Sequence, residues 1–118
     1  MRMTAPTLAL LAAVGCTSST SQPTTVVVVR AADDKCELGA NSLTAGLVGF
    51  KVTNSGTVPT EVSVQAARKV LGHVSAVPVR GTQTFSARIS AGVVELVCKP
   101  RGASGAIRTV VVVRPAGM

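Results

Sequence analysis

The chain has 118 residues and a formal net charge of +7, with one histidine and only two aromatic side chains, both phenylalanine. That length holds one domain with one core, not two. With Phe50 and Phe85 as the only rings, no platform exists for stacking bases, and the cations from Arg30 to Arg114 are scattered along the sequence rather than clustered; both features exclude nucleic acid and leave anionic lipid headgroups as the better match for the surplus charge.

The first fifteen residues read as an export leader: Arg2 gives one positive charge, Leu8 to Val14 an apolar run, and small residues follow up to Gly15 and Cys16. The run is too short for a spanning helix, which needs roughly 20 apolar residues. Ala13-Val14-Gly15-Cys16 resembles the lipobox of bacterial lipoproteins, whose cysteine becomes the lipidated first residue of the mature chain, although leucine is commoner where Ala13 stands. Residues 1–15 are therefore expected to be a lipoprotein signal peptide and Cys16 the lipidation site. This places the domain outside the cytoplasm, anchored to the cell membrane on its periplasmic side or its outer face. Residues 16–23 are rich in Ser, Thr, Gln and Pro, a polar tether rather than core. The domain is expected over residues 24–115.

Within it, short Val, Ile, Thr and Phe segments recur between Gly, Pro, Asn and Ser clusters, and none has the period of a long amphipathic helix. Thr25 to Arg30 and Ile107 to Arg114 are near-continuous valine runs, expected as strands at the centre of the sheets. Asp33 to Thr44 is the least regular stretch, with room for one short helical turn. Leu47 to Thr53 and Thr60 to Gln65 alternate, and the linking Asn54-Ser55-Gly56 with Pro59 predicts an arch or a hairpin. Lys69 to Val77, Gly81 to Ile89 and Val93 to Cys98 complete seven or eight strands, the pattern of an all-β Greek-key sandwich. Arg68, Lys69 and Arg88 are candidates for protecting its edges.

Three cysteines is an odd number for an exported chain. Lipidation of Cys16 leaves Cys36 and Cys98, and the ordinary fate of such a pair outside the cytoplasm is a disulfide. Metal ligation is the competing fate. Four features bear on it: Asp34-Lys35-Cys36-Glu37, Phe50 to Gly56, Thr60-Glu61, and Ala91-Gly92 leading to Cys98-Lys99-Pro100. In this order they resemble the EfeO-type cupredoxin-like domain of bacterial iron-uptake proteins, from Thr24 to Arg114. The resemblance implies a cupredoxin-like fold and a metal site of Cys36, Glu61 and Cys98 for copper or iron; thiolates with a carboxylate suit those metals. A blue-copper centre does not follow, because it needs two histidines. The single His73 reads as a surface residue, and Lys99 to Ser104 lacks the methionine that close EfeO-type relatives often carry there. Glu95, three positions before Cys98, faces the other side of a regular strand, and Glu37 reads as a solvated loop charge.

No nucleophile motif, histidine-containing metal motif or Cys/His pair is present, so an enzyme is not expected. Two functions compete. One is a lipid-anchored metal-binding accessory module, linked to iron uptake through a metal-uptake protein partner. The other is a non-metal envelope β-sandwich, stabilised by a Cys36–Cys98 disulfide, that contacts proteins or the membrane.

Overall fold

The computed structural model describes residues 25–117; the leader 1–15, Cys16 and the tether 16–23 lie outside the described residues. Nine strands follow in chain order: β1 (Thr25–Ala31), β2 (Cys36–Leu38), β3 (Ser42–Thr44), β4 (Gly46–Asn54), β5 (Thr60–Ala66), β6 (Lys69–Val77), β7 (Thr82–Ile89), β8 (Gly92–Pro100) and β9 (Ile107–Arg114). They form two sheets, ordered β2-β1-β4-β7 and β3-β9-β8-β5-β6. The expected all-β sandwich is what the chain builds.

The two strands beyond the seven segments read from the sequence are β2 and β3, both inside Asp33 to Thr44, the least regular stretch, with room for one short helical turn. The reason is tertiary. Cys36 to Leu38 pairs with the end of β1, and Ser42 to Thr44 pairs in parallel with the end of β9, so neither short segment satisfies its backbone locally. The link 55–59 joins strands of different sheets, which makes it an arch rather than a hairpin.

The valine runs are not the sheet centres. β1 and β9 each lie next to an edge, covered there only by a three-residue strand. Because side chains alternate along a strand, each run turns half its valines outward: Val26, Val28, Val110 and Val112 are exposed, whereas Val29, Val111 and Val113 are buried. A continuous apolar run thus marks one buried face and one exposed apolar face.

The core lies between the sheets, with Phe50 and Phe85 stacked across the β4–β7 pair at a centroid distance of 5.0 Å. β6 and β7 are both edge strands, and one flank of the sandwich closes where they meet. Lys69 lies on β6 and Arg88 on β7, so these expected edge charges do stand on edges. Gly72 makes the closure: a Cβ there would lie 2.6 Å from the Ser86 carbonyl oxygen, 3.0 Å from Ala87 Cβ and 3.1 Å from Phe85 Cδ2.

Strand directions sort the loops into two poles. Links 32–35, 55–59, 78–81 and 101–106 lie at one end, here the loop pole. The other is the entry pole, where β1 begins at Thr25 and the 67–68, 90–91 and 45 connections lie. Gly72→Ala should destabilise the domain by about 1–3 kcal/mol, since backbone is what the new methyl meets; urea unfolding reads this as a lower midpoint at unchanged slope.

Candidate functional site

Cys36 opens β2 and Cys98 lies near the end of β8, so the pair spans from the edge of one sheet to the central strand of the other. Both side chains face inward and are buried, at 3% and 0% exposure. They form a disulfide, with Cα atoms 5.7 Å apart and a sequence separation of 62. The Thr109 hydroxyl of β9 donates to the Cys36 carbonyl oxygen at 2.6 Å, which fixes β2 from a second side.

Glu61 is not part of this cluster. In the β5–β8 register Val62 opposes Cys98 and Glu61 opposes Lys99. Val62 and Cys98 point into the core, so Glu61 and Lys99 point out of the sandwich. The expected ligand set of Cys36, Glu61 and Cys98 is therefore divided by the sheet, with both sulfurs bonded to each other on one side and the carboxylate on the other. A disulfide sulfur is not a thiolate donor, so this arrangement does not fit a copper or iron ion. Among the described residues no three His, Cys, Asp or Glu side chains converge as a metal would require.

The remaining candidates also face outward. His73 opposes Ser63 and is exposed, on the outer face while Cys98 lies on the inner one. Glu95 faces away from Cys98 as expected and bonds Arg108 at 3.1 Å, the one ion pair among the described residues. Glu37 is exposed, in register with Arg30.

Glu61 instead stands between two shallow concavities on the outer face. One, about 370 Å³, is lined by Glu61, Ser63, Gln65, Lys99 and Arg108 under residues 104–106; the other, about 220 Å³, lies between Glu61, Lys99, Arg101 and Ser75. Ser63 is a buried polar residue on this face and accepts from Gln65 Nε2 at 3.2 Å. The groove is polar and of mixed charge. Alternation in β5 places Glu61, Ser63 and Gln65 on one face, but which residues of β8 and β9 join them depends on a register that only the pairing reveals.

Sequence reasoning also missed what orders the loop pole. Asn54 reads as part of a turn signal, yet its side chain is buried. Its Nδ2 donates to the carbonyls of Val58 at 2.8 Å and Val77 at 2.9 Å, and its Oδ1 accepts from Gly56 N at 2.8 Å. Its own backbone pairs with Arg80 and Gly81. One amide thus ties the 55–59 arch to the 78–81 loop. Asp33 crosses onto the same arch, accepting from Thr57 N at 2.8 Å and from the Thr57 hydroxyl. Gly56 permits the crossing, since a Cβ there would lie 2.3 Å from Asp33 Oδ1 and 2.9 Å from Asp33 N.

No family model matches the sequence, and no curated protein matches it. Among solved structures the chain is similar to dithionite-reduced auracyanin from the photosynthetic bacterium Roseiflexus castenholzii, with a TM-score of 0.57 and 10% identity over 80% of this chain and 100% of that one. It is also similar to a multicopper oxidase, with a TM-score of 0.50 and 11% identity over 76% of this chain. There it spans 41% of the oxidase chain. At such identities the likeness defines the fold, which is a cupredoxin-like β-sandwich.

Cys36→Ser with Cys98→Ser should cost about 2–5 kcal/mol of stability, read as a lower melting temperature that reductant reproduces in the parent chain. The Thr57 hydroxyl and amide hold Asp33 below its ordinary value of 3.8, because both donate to the charged form. Its stabilising effect is complete above that ordinary value and is lost as the pH falls through the depressed one. The stability gap between the parent and Asp33→Asn should therefore be constant above about pH 5 and close on further acidification, as paired denaturant titrations would measure.

Proposed function

We propose that this chain is an exported, lipid-anchored interaction module of the cell envelope, a cupredoxin-like sandwich in which a disulfide takes the role that the EfeO-type resemblance gives to a metal. Its work is contact with a protein or the membrane, not catalysis. The observation that carries this reading is the Cys36–Cys98 bond, which uses both soft donors while Glu61 faces the other way. An oxidising compartment is where such a bond persists. The leader and Cys16 provide the route there and the anchor on arrival.

A second reading has its own support. Reduction of the bond would leave two buried thiols close together, a donor pair suited to copper(I), in a fold shared with a multicopper oxidase. In that state the chain would carry metal to an uptake partner, the role implied by the EfeO-type resemblance.

Anaerobic titration with copper(I) and iron(II), followed by elemental analysis, separates the two. On the first reading the oxidised protein retains no stoichiometric metal and Glu61→Ala changes nothing. Binding of one equivalent by the oxidised protein, lost in Glu61→Ala, would contradict it. Copper(I) bound only after reduction, and lost in Cys98→Ser, would establish the second reading.

A further inference from the structure

Four of the eleven cations among the described residues meet at one end of the sandwich, although the sequence spreads them from Arg68 to Arg114. At the entry pole Lys69 opposes Ala66 beside the two-residue turn that carries Arg68, Arg88 opposes Leu47 at the start of β4, and Arg114 ends β9, where its carbonyl accepts from Ala45 N. Gly72, packed against Ser86 and Ala87, brings β6 and β7 to one level, so Arg68 and Lys69 share the pole with Arg88. No acid stands there. Asp33, Asp34, Glu37 and Glu61 all belong to the loop pole, and mid-strand Glu95 is paired with Arg108. Arg68 sits at φ 69° after Ala67 at φ 51°, a left-handed pair in a hairpin turn that favours Asn-Gly. The turn thus holds an arginine at its tip despite the backbone cost.

Toward this pole both sheets expose apolar side chains on their outer faces: Val26 at 62% on one, and Val70 at 50%, Val93 at 58% and Val112 at 53% on the other. Val93 opposes Val112 directly across the β8–β9 ladder. The chain also leaves the domain here toward its N-terminal segment, and the stretch from Cys16 to Thr25 spans at most about 30 Å when extended. Four cations without an acid beside them, with exposed valines on the adjoining outer faces, at the end from which a short tether leads, suit one partner: a bilayer with anionic headgroups, where charge gives attraction and small apolar side chains settle at headgroup depth.

We infer that the entry pole is a membrane-docking face for anionic lipid, seating Arg68, Lys69, Arg88 and Arg114 on the headgroups and turning the loop pole away from the bilayer. This rests on the anchored reading above only for the direction of approach; the pole's charge and apolar surface are independent of it.

The chain has no tryptophan or tyrosine, so a single introduced tryptophan reports alone. The full chain carrying Val93→Trp at the entry pole, or Val79→Trp at the loop pole, is mixed with vesicles of phosphatidylcholine, with or without phosphatidylglycerol, containing brominated lipid as quencher. Val112→Trp repeats the entry-pole measurement at a second exposed site. On anionic vesicles the Val93→Trp and Val112→Trp emissions should be quenched and the Val79→Trp emission should not. Molar salt, or Arg68→Glu, Lys69→Glu, Arg88→Glu and Arg114→Glu together, should abolish the quenching. Any unanchored fraction should bind anionic vesicles about fivefold more weakly for each cation removed.

Recovery on phosphatidylcholine alone reports the anchor separately. A chain that leaves those vesicles yet docks on anionic ones through the four cations upholds the inference without the anchor. Retention on both vesicle types without quenching at the entry pole overturns the inference and leaves the anchor standing. A blue shift of the Val93→Trp emission that rises with protein concentration in the absence of vesicles marks a second copy as the occupant, and also overturns it.

Discussion

The Cys36–Cys98 bond joins the weakest strand of one sheet to the central strand of the other. β2 has only three residues, paired with β1 alone, and such a ladder gives little stability by itself. On the chain-entropy model, closing a loop of this length contributes about 4 kcal/mol, a large share of the margin a domain of this size possesses. The bond fixes where the 32–35 loop leaves β1, and so where Asp33 can reach Thr57. The arch held by Asp33 and Asn54, and through it the 78–81 loop, follow from that placement.

The same bond decides the chemistry open to the domain. A cupredoxin-like sandwich brings the end of β8 beneath the loop pole, and this chain puts a cysteine there. That sulfur is committed to Cys36. The carboxylate that the EfeO-type resemblance would add is one residue out of phase, because Glu61 precedes the inward Val62 that opposes Cys98. In this cupredoxin-like sandwich the three residues that the resemblance names are split between a covalent crosslink in the core and a polar groove outside it. The loop pole mixes acids with cations such as Lys35, Arg80 and Arg101, whereas the entry pole holds four cations and no acid among the described residues.

Much of this was legible in the sequence, for particular reasons. Strand periods around Phe50, Val62 and Val64 located β4 and β5, and the three-residue offset between Glu95 and Cys98 correctly set them on opposite faces. The Asn54 turn signal located the arch, but not the buried amide that organises it, because turn statistics describe the backbone and not where the side chain goes. β2 and β3 were illegible since their partners, the ends of β1 and β9, are distant in sequence. The valine runs misled because a run of one residue type hides the alternation that would show an exposed face. Glu61 was misplaced for want of the β5–β8 register, since one residue of phase moves a side chain through the sheet. The cationic pole was invisible because residues as far apart as Arg68 and Arg114 meet only after folding.

The Cys36–Cys98 crosslink is tested most directly by the state of the two cysteines in folded protein alkylated without reductant. Peptide mapping should recover the Cys36 and Cys98 peptides joined by a disulfide, with neither sulfur alkylated until reductant is added. Recovery of both as alkylated thiols in folded, unreduced protein would contradict the Cys36–Cys98 crosslink.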